Sequence, residues 1–311
     1  MGIVVIGAVF VDIKGYPEAN FIPTGRNAGW VDHVHGGVGR NVVEDIANCE
    51  LRPTFVSLVD ESAEGREVIS QLQRHKVNTD YMQSVPNGMG MWLAVFDESG
   101  DLAGSISKRP DLSAMLRMLE ERGDEIFKNA DSVVVEVDID KEIVKTVLHY
   151  AKKYNKPAFG VVANMSIASQ RRDLLQGLEC FVCNEQEAGI LFVDDFSDIE
   201  PEILAEKLCR CVVSANIPSV VVTLGSRGAV YANLAGDCGF YPAQKVKVRD
   251  TTGAGDAFCA GVAMGLTYGK SIREAVEIGT RLAASVITVS ENVCPRFRPK
   301  ELGLDVEIDE I

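Results

Sequence analysis

Residues 250–263 read DTTGAGDAFCAGVA. Two threonines and three small residues precede Asp256, and an apolar run without proline follows it. That order predicts a helix starting near residue 254. The first backbone N–H groups of a helix lack partners within it and carry partial positive charge. Side chains as small as those of Gly253, Ala254 and Gly255 leave these groups uncovered, which suits an oxyanion or a phosphoryl group. Asp256, at the edge of the same site, can accept a proton from a hydroxyl, a step typically worth about 10²–10⁴-fold in rate. The plainer reading is a tight turn with Asp256 as a favourable first-turn residue. The stretch by itself leaves both readings open.

Upstream, short apolar runs alternate with helical spacing. Residues 3–6, 54–59, 133–137, 157–162, 180–183 and 219–223 read as strands. Residues 41–48, 64–75, 141–154, 168–176, a segment from 185, and 201–214 read as helices, and two long helices at about 254–268 and 272–290 close the chain. This rhythm predicts an α/β fold with a mainly parallel sheet between helices. Residues 14–34 read as loop and exposed strand, and 91–96 with 102–107 as a hairpin around a polar turn. Together these predict a small β insertion from two segments, about 13–35 and 88–108, on one domain spanning 1–311. The acidic tail, 303–311, reads as solvated.

With 31 basic and 45 acidic residues in 311, the net charge is −14. Such a chain disfavours nucleic acid and anionic membrane surfaces as partners. It contains no apolar stretch approaching 18 residues, so no spanning helix is expected. The N-terminus reads as a core strand and not as a signal peptide. Eight cysteines with one C-x-x-C, Cys180 to Cys183, and four scattered histidines do not make a zinc pattern. Buried free thiols in a cytoplasmic protein are the expectation.

Two phosphate-binding patterns fail on inspection. MGLTYGKS, 264–271, ends like a P-loop but has Met264 where the first glycine is needed, and it follows a helix. GGVGRNV, 36–42, has Val42 at the third glycine of a dinucleotide fingerprint.

Taken with its surroundings, DTTGAGDAFCAGVA resembles the C-terminal signature of the PfkB, or ribokinase-like, family of carbohydrate and nucleoside kinases. GGVGRN, 36–41, resembles the N-terminal glycine motif of that family. The order also fits: Asp12, the glycine pair, an insert hairpin, Asn184-x-x-Glu187, Thr223-x-Gly225-x-x-Gly228, then GAGD. The resemblance covers nearly the whole chain. It implies a three-layer α/β/α fold with a small β-sheet lid and an ATP-dependent phosphotransferase. Asp256 is then the base, with the amides of 253–256 as anion hole. Asp12, Gly36, Gly37 and Asn41 would bind the substrate. Asn184, Thr223, Gly225 and Gly228 would approach the nucleotide. Glu187 would hold Mg²⁺ through water, in keeping with an ion that retains several waters. Asp250 would help bind a monovalent cation such as K⁺. The plainer readings are a cap for Asn184 and turns for Asp12 and the 223–228 stretch.

GGVGRN, IGAVFVDIKGYP and GMWLAVFDESGDL look most like the pseudouridine kinase branch, which implies a ribose 5′-hydroxyl as acceptor. A ribokinase- or fructokinase-like sugar kinase is the alternative, and a non-catalytic sensor on the same fold a second one. Val162-Ala163-Asn164 departs from the Asp-Pro or Asn-Pro of many relatives, and NGMGMW, 87–92, lacks an expected threonine. Arg40 is unusual within the motif; it reads as an ion pair at the helix start or a substrate contact. The exposed sheet of the insert predicts a homodimer through the lid.

Overall fold

The computed structural model describes residues 2–306. In chain order its strands are β1 Ile3–Ile6, β2 Phe10–Pro17, β3 Gly29–Gly36, β4 Thr54–Val59, β5 Asn78–Ser84, β6 Gly90–Phe96, β7 Leu102–Lys108, β8 Ser132–Glu136, β9 Ala158–Val161, β10 Cys180–Asn184, β11 Ser219–Thr223, β12 Gly228–Asn233 and β13 Cys238–Pro242. The helices are α1 Val38–Asn48, α2 Ala63–Arg74, α3 Ser113–Lys128, α4 Lys141–Lys153, the single turns α5 Met165–Ala168 and α6 Arg172–Leu175, then α7 Glu185–Phe192, α8 Pro201–Ala215, α9 Ala254–Thr267 and α10 Ile272–Val286.

Nine strands form one sheet in the order β13-β12-β11-β10-β9-β8-β1-β4-β5. The pairings from β11 through β5 are parallel, and β12 and β13 close one edge antiparallel. The central strands are apolar on both sides because alternate residues feed two cores. Val4, Ile6, Val133 and Val135 join the helices α3, α4, α7 and α8 on one face. Ile3, Val5 and Val134 join α1, α2, α9 and α10 on the other. The predicted three layers are present.

The remaining strands form a separate sheet, β3-β2-β6-β7. Strands β2 and β3 pair over eight positions from Phe10↔Gly36 to Pro17↔Gly29 with a loop over 18–28 between them, so residues 14–34 are loop and solvent-facing strand, as read from the sequence. Even-numbered residues of β2, β3 and β6 share one face. Tyr16 stacks on both Trp30 and Phe96 there, with ring centroids 5.6 and 4.9 Å apart.

Other differences have local causes. The segment read as a helix over 168–176 is broken into α5, a 3₁₀ turn and α6. Helix α1 begins at Val38, so Asn41 lies inside it and not at its cap. The last long helix stops at Val286, short of 290. Residues 307–311 of the acidic tail lie outside the described residues, and at its start Leu304 is fully buried. No helix among the described residues is long and apolar enough to cross a membrane. Cys180 and Cys183 are buried free thiols, as expected.

Candidate active site

The site forms where three glycine-rich junctions meet. The first is the turn from β1 into β2. A Cβ on Gly7 would fall 2.8 Å from the Cα of Gly39, so α1 packs directly against this turn. The second is the turn from β3 into α1. Gly37 caps α1 at φ +103°, and a side chain there would strike the Ala8 carbonyl. The third is the start of α9. Gly253 has φ +80°, and its Cβ would lie 2.0 Å from the Asn292 carbonyl oxygen. These glycines are required by the chain itself. Gly255 is different: a Cβ there meets nothing within 4 Å, and the residue is exposed.

The junctions border a cavity of about 990 Å³ lined by Asp12, Gly36, Gly37, Asn41, Gly253 and Asp256. Asp256 stands in the first turn of α9 and accepts a hydrogen bond from Asn41 Nδ2 at 2.7 Å. Burial pushes its carboxyl up to about 7, and the Glu187 charge pushes the same way; the Asn41 hydrogen bond and the Arg40 guanidinium oppose them. A carboxyl so placed is half ionised near neutral pH, the range in which a general base works best. Asp12 projects from β2 beside Gly36, where an added Cβ would meet its carboxylate at 2.8 Å. Burial raises its pKa as well, against the nearby Lys14 charge.

Four acids lining this cavity were not anticipated; Asp111 and Asp140 are exposed, whereas Glu136 and Asp138 are buried. Glu136 ends β8 and its Oε2 accepts the Ala8 N–H at 3.0 Å. Asp138 follows it, and its Oδ1 accepts the Ala163 N–H at 2.9 Å. Burial, with Asp138 beside it, pushes Glu136 up to about 8; Asp138 itself is raised by burial. The available signal was a charge closing an otherwise apolar strand, VVVEVD at 133–138. Trp92 from β6, Arg109 and Asn292 also line the cavity. Asn164 reaches it too, while capping α5 by accepting the Ser166 N–H at 3.1 Å.

The other predicted residues lie outside this lining. Asn184 and Glu187 form a reciprocal capping box at the start of α7, with Glu187 N–H to Asn184 Oδ1 at 2.9 Å and Asn184 N–H to Glu187 Oε2 at 2.7 Å. The plainer cap reading therefore holds, but Glu187 still acts on the site, because its charge is felt at Asp256 and that of Asp138 is felt at Glu187. Thr223 ends β11 and reaches the Cys183 carbonyl at 3.5 Å. Gly225 faces open space at φ +58°, whereas a side chain on Gly228 would hit the Tyr241 carbonyl, so Gly228 serves the β12–β13 hairpin. Ala254 N–H donates to the Thr251 carbonyl at 3.3 Å and is therefore already engaged within the turn. Asp250 lies on a second cavity of about 730 Å³ together with Thr252 and Asn292, and accepts the Thr252 N–H at 2.9 Å. Arg40 pairs with Glu44 within α1.

Among the described residues no group of three acids, histidines or cysteines is disposed to hold a metal ion. The acids lining the cavity are oxygen donors, the ligand type that Mg²⁺ takes.

The profile of the pfkB family carbohydrate kinases matches residues 2–293. The chain is 36% identical over 293 residues to the guanosine-inosine kinase of Exiguobacterium acetylicum, covering 93% of this chain and 95% of that protein. It is 25% identical over 276 residues to the pseudouridine kinase of Escherichia coli K12, with 87% of each covered. The fold matches that of Arabidopsis thaliana ribokinase complexed with ribose and ATP, at a TM-score of 0.81 and 23% identity over 98% of this chain and 99% of that one.

Proposed function

The chain belongs to the pfkB family of carbohydrate kinases, and from that premise we propose that it phosphorylates the 5′-hydroxyl of a purine ribonucleoside with ATP. The observation that carries the chemistry is the Asn41–Asp256 contact inside a cavity that also holds Asp12 and Gly36. Asp12 and Asn41 can hold ribose hydroxyls by paired hydrogen bonds. Asp256, as the carboxylate, takes the proton of the attacking hydroxyl. A Cβ on Gly255 would meet nothing within 4 Å, so no side chain covers the backbone N–H groups there, which would stabilise charge on the transferred group. Magnesium bound with the nucleotide would neutralise phosphate charge, and Glu187 and Asn184 would hold its waters. Asp250 and Thr252 would serve a monovalent cation.

The acceptor follows from two supports. Phe10 and Trp92 line the same cavity and offer aromatic surface to a base. The relative at 36% identity acts on purine nucleosides, against 25% for the pseudouridine kinase. This moves the acceptor away from pseudouridine, which the likeness of GGVGRN, IGAVFVDIKGYP and GMWLAVFDESGDL had suggested. The test is ADP release with Mg-ATP against guanosine, inosine, pseudouridine, uridine, ribose and fructose, with a no-acceptor blank. Turnover of guanosine or inosine at least tenfold above the others is expected. Preference for pseudouridine, or for a free sugar, would overturn the purine reading and leave the Asp256 chemistry standing.

A further inference from the structure

Asn41 presents its amide nitrogen to Asp256, and the reason lies at the other end of its side chain. Arg40 NH1 donates to Asn41 Oδ1 at 3.0 Å, and Asn292 Nδ2 donates to the same oxygen at 3.2 Å. The two donors are tied to each other and to one carbonyl. Arg40 NH1 also donates to Asn292 Oδ1 at 3.3 Å and to the His35 carbonyl at 3.2 Å; Asn292 Nδ2 donates to that carbonyl at 3.1 Å. Arg40 is itself buried, 2% exposed, and its NH2 pairs with the buried Glu44.

We infer that Arg40 and Asn292 are positioning residues that fix which end of the Asn41 carboxamide faces Asp256. Guanidinium can only donate, so the end of Asn41 that meets it must be the oxygen. The NH₂ is thereby directed at Asp256 Oδ2. The opposite orientation would place Oδ1 against Asp256, repel the carboxylate and accept from the protonated acid. Hydrogen bonds to the charged form favour ionisation, and those to the neutral form oppose it. The network thus selects the rotamer that keeps Asp256 available as a base. Its planar fork lets arginine span Glu44 and Asn41 together, which a lysine point charge cannot do. This inference rests on Asp256 being the base.

Asp256 is faced by Arg40 and Asp45 from α1, Glu136 from β8 and Glu187 from α7, with Cys259 on its own helix. Arg40 is the cation of this set. Arg40→Lys therefore retains the charge and a partner for Glu44 while releasing the carboxamide. Its acid limb of kcat/KM should move up by about one pH unit, a tenfold loss at pH 6 that is recovered at pH 9. Asn292→Ala, which leaves the buried ion pair intact, should move it the same way by less. In an Asn41→Ala background Arg40→Lys should cost less than about twofold, because the coupling runs through Asn41. An equal loss in both backgrounds, or an unmoved acid limb, would overturn the inference. Asp256→Asn serves as the control: if it keeps turnover, the base reading falls and takes this one with it. If it is inactive while the Arg40→Lys profile is unmoved, only the positioning role falls.

Discussion

The two sheets differ in how completely the chain covers them. In the large sheet β1, β4, β8 and β9 are buried at every position. In the small sheet β7 is exposed at every position and β3 at its first five. One face of the small sheet lies over the cavity through Asp12 and Trp92. The opposite face carries Val31, Leu93 and Ile106, which are 59%, 41% and 69% exposed. An exposed apolar row of this kind is a surface that a partner can cover. The large sheet is finished by its own helices; for the small one we propose substrate on one side and a second copy on the other. The glycines at the start of α9 repeat the contrast at atomic scale, since Gly253 is hemmed in by the chain and Gly255 is left open.

The sharpest way to break this contrast is to separate function from stability. Asp256→Asn should lower kcat by about 10²–10⁴-fold with ATP binding retained. Its stability should change in the opposite sense. The folded Asp256 titrates at about 7, above the roughly 3.9 of an unfolded aspartate. Its contribution is fully present below the unfolded value and lost as pH rises through the folded one. The variant should therefore melt higher than the parent at pH 8, and the gap should close toward pH 4. A lower melting temperature at pH 8 would count against a strained acid. Within the large sheet, Phe181→Ala should cost about 3–5 kcal/mol, seen as a lower denaturant midpoint. For the glycines, Gly253→Ala should cost about 2 kcal/mol or more through its positive φ. Gly255→Ala should instead stabilise by about 0.5 kcal/mol and still lose activity. Wild-type activity in Gly255→Ala would remove the anion hole from that position. Smallest of all, Ile106→Ser should change stability by no more than about 0.5 kcal/mol. In sedimentation it should lower the mass from dimer to monomer, and a parent that is already monomeric would end the proposal for that face.

The parts of the fold that were legible are those where one physical effect dominates. The runs IVVI in β1 and SVVVT in β11 are buried on both sides, and nothing but a central strand reads that way. Strand β5 was missed because only Tyr81 of its seven residues is buried, so no period shows. Helix α3 was missed although Met115, Leu119, Ile126 and Phe127 mark its inner face; the polar stretch around Gly123 interrupts the stripe. Hairpin β12–β13 is short and took its meaning from β11, which it extends. At the site, Asp256 was legible from the small residues before an apolar helix, while Asp12 and Asn41 took their roles from the resemblance of the surrounding motifs to the kinase family. Asn292 was not, since its role depends on a contact 251 residues away with Asn41. The acids at 136 and 138 were hidden by their strand, whose apolar pattern outweighed one charge.

Glu136, Asp138 and Asp256 crowd one cavity, and burial holds each above the usual carboxylate range. Near neutral pH such a group of acids retains protons that a solvated group would have released. A cationic ligand entering beside them will expel those protons into the buffer. Binding is then an exchange reaction, and its measured heat will change with the ionisation enthalpy of the buffer chosen. Affinity for a free divalent cation beside these acids would climb with pH across the same interval, whereas a metal–nucleotide complex of net negative charge would gain nothing from their ionisation.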